Sequence, residues 1–451
     1  MKTYFRQAWS LVRQQRLFST VYVIGTGLAL TATMVLAMVF YIKMAPVYPE
    51  IHRDRMLTVQ YAAVKVEGGA GRSSIGEIFV REYLYPLQTA EMVCAATNYG
   101  SWRVRIPTEA TDDALELSAK RTDVNFWRVF GFRFLSGRPY TEEELRSEQK
   151  VVVIAQSAAR RLFGDEEAVG RDVSISDGRT AENYRVVGVV ADVSYVTPDS
   201  YAQIWLPNPK LYAVAPGTGN IRFNDIFGSC KVYLVAPSVA QMDEVIAEVN
   251  EVMQKINTSP PAEGEQRFEL DLSGDLLPYW KSELKSTFHE SNTHVLFSSF
   301  SWSEILKVLI PLLMAMLLVP ALNMAGMVSS TMEDRLAEFG VRKVFGASRR
   351  RLMMQILAEN LLLTLIGGII GLLLSYAIMY FGIDWVLTLF NQTGVLAPEG
   401  AVTFYTADML FNPFVFIIAL FICLVLNYAS AAIPAHMALR KDIVYSINKK
   451  R

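Results

Sequence analysis

The chain has 451 residues, of which 52% are hydrophobic and only 19% charged, whereas an ordinary soluble domain carries nearer 25% charge. A formal net charge of −1 argues against a nucleic-acid partner, and three cysteines are too few for a disulfide framework or a cysteine-built zinc cluster. Four uncharged windows, 21–42, 308–328, 361–383 and 414–433, account for the deficit. Outside them the charged share rises to about 24%, close to the soluble average. A purely soluble enzyme is excluded on that distribution.

The first sixteen residues hold Lys2, Arg6, Arg13 and Arg16 without an acid, and their period places Tyr4, Ala8, Leu11 and Val12 on one side. Residues 1–16 therefore read as an amphipathic helix on the inner leaflet. Each uncharged window is long enough to cross about 30 Å of hydrocarbon as a helix. Basic residues set the orientation. They crowd residues 1–16, the 329–351 loop and the 435–451 tail, while 384–412 contains no lysine or arginine. Both termini and the 329–351 loop are accordingly expected in the cytoplasm. The spans are 17–42, 304–328, 352–383 and 413–434, with 43–303 and the short 384–412 loop outside. Trp302, Trp385, Tyr376 and Tyr380 fall near the outer span ends, where amphipathic rings settle. Pro311 and Pro320 should bend the second span. Small residues recur in the third span at Gly367, Gly371 and Ser375, and in the first at Gly25, Ala29, Thr33 and Ala37. Such stripes let helix backbones approach closely.

The 43–303 segment must fold by itself, and its pattern predicts two α/β subdomains, one of them rich in strand. Residues 151–154 form an apolar strand, and 157–163 a helix stopped by Gly164. Strands at 173–175 and 185–190 flank a turn at Asp177-Gly178. After a strand at 231–235, Ser238 and Gln241 predict a capping box for a helix reaching Ile256. Its apolar face runs through Val239, Met242, Val245, Ile246, Val249, Val252 and Met253, and a strand follows at 267–272. From Leu276 to Lys307 a partly helical connection descends to the second span.

An engine is missing from the sequence. No Gly-Lys dipeptide occurs, so there is no phosphate-binding loop of the Walker type. His289 and His294 lie five apart, which misses the spacing that places two metal ligands on one helical face. Cys94 and Cys230 both fall outside the membrane and could pair there, although spacing does not establish proximity. The distinctive cytoplasmic segment is Glu338-Phe339-Gly340-Val341-Arg342-Lys343-Val344-Phe345-Gly346-Ala347-Ser348. It offers charge, apolar side chains and glycine turns where a partner could grip; alternatively its basic residues only fix orientation.

That segment, with the glycine-rich 361–375 stretch, resembles the permeases of the MacB/FtsX type, the membrane subunits of type VII ABC transporters. A second resemblance runs over 130–190, through Gly137-Arg138, Thr141-Glu142-Glu143-Glu144, 158–164, Val169-Gly170 and 184–190, and is similar to the family's periplasmic core domain. The order of parts, one span, a large outer domain and then three spans, agrees. The resemblance implies an α-helical membrane protein of the bacterial inner membrane, with a MacB-like α/β (α+β) periplasmic domain and stalk segments between the first two of four transmembrane helices. It implies no catalysis and no cofactor in this chain: an ABC ATPase subunit supplied in trans binds ATP and magnesium. Glu338, Phe339, Gly340, Arg342, Lys343, Gly346 and Ala347 then form the ATPase-coupling loop, and Gly367, Gly371 and Ser375 pack helices. A second permease copy or paralogue completes a dimer. ATP-driven closure would move the periplasmic domains by mechanotransmission, driving efflux of a peptide, antibiotic or similar substrate with a periplasmic adaptor and outer-membrane channel. The alternatives are lipoprotein release from the inner membrane, and a signalling or sensory module that transports nothing.

Overall fold

The computed structural model describes residues 16–107, 114–195, 197–212, 222–261, 267–288 and 341–390, together with single positions at 307 and 311 and between 416 and 437. The amphipathic 1–16 segment up to residue 15, nearly all of the second span, the histidine pair and Glu338, Phe339 and Gly340 lie outside the described residues. Two compact units emerge, one of residues 42–301 with 390–406, the other of the remaining segments. Among the described residues, two helices are long and apolar enough to cross a membrane: Ser19–Met44 and Arg349–Gly382.

The first unit is an α/β body built on two sheets. Its strands are β1 (Met56–Val59), β2 (Tyr61–Val66), β3 (Gly69–Ile75), β4 (Met92–Arg105), β5 (Leu115–Thr122), β6 (Phe134–Gly137) and β7 (Val151–Ala155). They continue as β8 (Asp172–Ser176), β9 (Ala181–Val190), β10 (Ile204–Pro207), β11 (Phe227–Gly228), β12 (Lys231–Val235), β13 (Phe268–Asp271) and β14 (Leu277–Pro278). The large sheet runs β14-β1-β12-β4-β5-β10-β7-β9-β6, with β8 bridging β4 and β9; the small one runs β11-β3-β2-β13. Among the described residues, parallel pairing is confined to β10 with β5 and β7 with β9. The helix Gln156–Phe163 makes the β7 to β9 crossover, and Gly164 ends it at φ +65°, a conformation only glycine adopts freely.

Instead of two subdomains, one sheet serves two cores. On β4 and β12 alternate residues separate cleanly: Cys94, Ala96, Tyr233 and Val235 face one core, and Val93, Ala95, Val232 and Leu234 the other. The period-2 geometry of a strand dictates this split. One core gathers Trp102, Phe126, Trp127, Phe130 and Trp205. The other is closed by the small sheet and by a helix at Met242–Thr258, which buries Met242, Val245, Val249, Met253 and Ile256. Here the expected capping box is absent: Ser238 Oγ bonds Gln241 Oε1 at 2.9 Å, and a 3₁₀ turn at Val239–Gln241 starts the helix. Val239 is left exposed. A true capping box occurs elsewhere, where Thr141 and Glu144 exchange bonds at the start of Glu142–Arg146.

The same alternation settles the cysteines. Cys94 points into the first core and Cys230 into the second, on opposite faces of the sheet, and both are free thiols. No side-chain rotation brings two sulfurs together through a sheet.

Candidate functional site

The helix α1 (Arg16–Met44) and the long helix α2 (Arg349–Phe390) carry the first set of residues that the sequence singled out. A break in α2 falls at Gly382, where φ is −125° and ψ 15°. Gly367, Gly371 and Ser375 lie on one face of α2, all buried, and that face rests on α1. A Cβ added at Gly371 would stand 2.7 Å from the carbonyl oxygen of Gly27; one at Gly367 would stand 3.0 Å from Thr26 Cβ and 3.1 Å from Val23 O. Backbones this close leave room for hydrogen only. Thr31 Oγ1 donates to Gly27 O at 2.8 Å and lies 3.2 Å from Gly371 O, so one hydroxyl joins the two helices. Ser375 Oγ donates to Leu372 O at 2.8 Å and sits 3.8 Å from Met34 Sδ. A Tyr22 hydroxyl to Thr364 hydroxyl contact of 3.3 Å continues the seam.

The α1 side of this seam differs from the Gly25, Ala29, Thr33 and Ala37 stripe read in the sequence. A Cβ at Gly25 would meet nothing within 4 Å, and Thr33 Oγ1 only bonds back to Ala29 O. The contact uses Val23, Thr26, Gly27, Leu30, Thr31 and Met34. Both stripes have the right spacing; spacing alone does not say which side faces the partner.

Ahead of α2 stands a turn that positions the other residues. Residues 341–344 are helical, and Gly346 follows at φ +87°. Gly346 N donates to Lys343 O at 3.0 Å, and Ala347 N donates to Arg342 O at 3.0 Å. This paired pattern around a left-handed glycine is a Schellman cap. Ser348 then opens α2, its Oγ accepting from Arg351 N at 3.3 Å. Arg342 Nη1 bonds Gln355 Oε1 at 2.7 Å, and Gln355 passes the chain on to Glu359 at 3.1 Å. The loop is thereby tied to the first turns of α2. Ala347 packs toward the small core of Tyr22, Leu352 and Ile356. Val341, Val344 and Phe345 are exposed, Phe345 by 86%, beside exposed Arg349, Arg350 and Arg351. An apolar knob ringed by cations has no role within the described chain. Of the expected loop residues, the structure thus brings Arg342, Lys343, Gly346 and Ala347 into one turn.

Two groupings were invisible in the sequence. Asp123, fully buried where the two cores meet, accepts from Phe126 N (2.8 Å), Ala95 N (3.0 Å) and the Tyr85 hydroxyl (2.6 Å). Burial pushes its carboxyl up to about 7, and these three donors pull against that rise. The second is a buried ion network around Glu50 and Arg53, neither more than 1% exposed.

Comparison with known proteins gives this arrangement its family. The model of the MacB-like periplasmic core domain matches residues 19–252, and that of the FtsX-like permease C-terminal region matches 310–443. A macrolide export ATP-binding/permease protein MacB from Chromobacterium violaceum is 25% identical over 296 residues, covering 62% of this chain and 40% of that one. The MacB of Bdellovibrio bacteriovorus is 26% identical over 241 residues, 53% of this chain and 32% of its own. The uncharacterized ABC transporter permease YknZ of Bacillus subtilis is 21% identical over 292 residues, 64% of this chain and 63% of that. The chain thus spans well under half the length of these MacB relatives. Among solved structures, the periplasmic region of MacB from Actinobacillus actinomycetemcomitans aligns over 49% of this chain and 89% of its own, at 17% identity and a TM-score of 0.31. With the core-domain model covering more than half of its length, this chain belongs to the MacB/FtsX-type family of ABC transporter permeases.

Proposed function

We propose that this chain is the membrane subunit of an ABC transporter whose ATP-hydrolysing subunit is a separate protein. In this reading the chain spans the bacterial inner membrane four times, with both termini in the cytoplasm and the α/β unit in the periplasm. The 329–351 loop receives the ATPase, which holds the ATP and magnesium, and a second permease copy or paralogue completes the pair. ATP-driven closure moves the periplasmic unit and drives efflux of a peptide, antibiotic or similar substrate, with an adaptor and outer-membrane channel beyond it. The names of the MacB relatives, which join export to an ATP-binding part, support the transport class.

The observation that carries the reading is the turn ahead of α2. A Schellman cap and the Arg342–Gln355 bond hold it rigid, yet Val344 and Phe345 project into open space. Exposed aromatic and aliphatic side chains on a rigid turn suit insertion into a partner's pocket. Phe345→Asp should leave membrane insertion intact and reduce co-purification with the proposed partner ATPase at least tenfold, the effect of losing one buried aromatic anchor. Charge reversal at Glu338 and Arg342 together should uncouple ATPase stimulation. Unchanged stimulation in both variants would remove the loop from the coupling path.

A further inference from the structure

The network around Glu50 joins parts of the chain that are far apart in sequence. Its carboxylate accepts four hydrogen bonds: Arg53 Nε at 2.8 Å, Ser200 N at 2.9 Å, Ser200 Oγ at 2.8 Å and the Tyr279 hydroxyl at 2.9 Å. Arg53 in turn donates to Ile42 O at 2.5 Å, in the last turn of α1, and to Ala45 O at 3.1 Å just past its end, and its guanidinium lies 4.8 Å from the Tyr279 ring centroid. A cation on the terminal carbonyls of a helix satisfies orphan acceptors and opposes the helix dipole. Tyr279 is the first residue of the helix Tyr279–Phe288, here α3, which follows the last strand of the α/β unit. One turn further along α3, Glu283 is influenced by Lys231, Lys43 and Arg53. The 198–200 segment is gripped from behind as well. Lys231 Nζ pairs with Asp199 at 2.7 and 2.8 Å, and Lys120 Nζ reaches Pro198 O at 3.1 Å. Burial pushes Asp199 up, but Lys231 and Lys120 together hold it below its ordinary value.

Stability alone does not account for such a network. A buried ion pair is often neutral relative to an apolar replacement of the same volume, because desolvation offsets the attraction. What fixed polar geometry supplies is a unique arrangement of the segments it joins. The segments here are residues 42–45 at the end of α1, the start of α3, and the 198–200 segment.

We infer that Glu50, with Arg53, Tyr279 and Ser200, is a positioning clamp that locks residues 42–45 and the start of α3 to the body of the α/β unit. Displacement of residues 42–45 or of α3 is then delivered to the unit instead of being absorbed in a hinge at its base. The transmission step rests on the proposed ATP-driven movement; the locking does not, and it is measurable on the chain alone.

Hydrogen exchange followed by mass spectrometry tests both, on the full chain in nanodiscs, with and without the co-purified ATPase. In Glu50→Gln/Tyr279→Phe, amides at 42–50 and in α3 should exchange together about tenfold faster, the loss of one to two net hydrogen bonds, with the β7–β9 core unchanged. With the ATPase and ATP, wild type should show altered exchange in the α/β unit. The variant should lose that response while ATP turnover stays within about twofold, a split that a merely structural defect would not produce. If the double variant fails to fold, the apolar replacement Glu50→Leu/Arg53→Met/Tyr279→Phe keeps volume without charge and is read in the same way. Unchanged exchange at 42–50 and α3, or a retained ATP response in a folded variant, overturns the clamp. Absence of any ATP response in wild type overturns the proposed function instead, and leaves the local exchange test standing.

Discussion

Gly371 and Gly25 pose the same chemical question with opposite answers. At Gly371 a methyl group would press on the Gly27 carbonyl, which is backbone and cannot rotate away; at Gly25 there is open space. Gly371→Leu should therefore force α1 and α2 apart at an overpacking cost of about 1–3 kcal/mol or more. Gly25→Ala should leave the pair intact. Thermal melting in detergent, followed on both variants, checks the contrast, and equal melting points would dismiss the seam. The α2 stripe was readable because Gly367, Gly371 and Ser375 recur every four residues along the helix. Its mate on α1 was not, since 25-29-33-37 and 27-31-34 both satisfy the spacing and only the partner's position selects one. Asp123 was illegible for another reason: nothing in its neighbours announces that a carboxylate is to be buried between two cores. Its sign follows from linkage. A folded-state value near 7, above the ordinary 3.8, means that the folded form holds the proton more tightly. The stability from this group is fully present below about pH 4 and is lost as pH rises through 7, at up to about 1.4 kcal/mol per pH unit. Asp123→Asn should flatten that fall in melting curves recorded between pH 4 and 7. An identical slope in the variant would refute it.

At the scale of elements, the sequence spoke most clearly where one physical signal dominated. β7 and β12 are short apolar runs bounded by polar turns, and the sequence expectation and the observed strand coincide within a residue. The β8–β9 turn has Asp177 Oδ1 accepting from Arg179 N and Thr180 N, with Gly178 at φ +90°, the local chemistry its residues imply. β3 and β4 gave no such signal. β3 reads Gly-Ala-Gly-Arg-Ser-Ser-Ile, without apolar alternation, and β4 changes register at a bulge between Asn98 and Ser101. Pairing partners distant in sequence impose strand on both. The Schellman turn is testable at this scale. Gly346→Val places a β-branched residue at φ +87° and should cost about 1 kcal/mol or more. The expected result is fraying at the start of α2, seen as faster amide exchange at 347–352, while Gly346→Asn does less harm. The cysteines give a second element-scale test. Burial holds both thiols well above their ordinary titration range. Reducing agent should therefore not move the melting point, and both sulfurs should alkylate only after denaturation.

For the molecule as a whole, composition pointed to the two described helices, Ser19–Met44 and Arg349–Gly382, that are long and apolar enough to cross a membrane, and the motifs of two regions pointed to one family. The matches to 19–252 and 310–443 bear that out. What composition could not supply is the way one chain ties its parts together. Glu50, Arg53, Lys120, Asp199, Lys231 and Tyr279 span more than half of the sequence of the α/β unit, and each alone reads as an ordinary surface residue. Topology gathers them: β14 lies beside β1 and β1 beside β12, so the start of α3 falls next to the segment that follows α1.

The two-faced sheet has a spectroscopic consequence. Trp102, Trp127 and Trp205 all lie in the core on one face, and the opposite core, among the described residues, is lined by tyrosine and phenylalanine with no indole. Trp127 and Trp205 stack edge to face at 6.0 Å, and Trp127 also meets Phe132, Phe134 and Tyr140. Emission from these indoles is a one-sided gauge. It reports when the β7–β10 side loosens and stays silent while the Met242–Thr258 helix peels from the other. With Trp9, Trp280, Trp302 and Trp385 replaced by phenylalanine, a lag between indole emission and far-ultraviolet ellipticity on denaturation would resolve the two faces in time without any label.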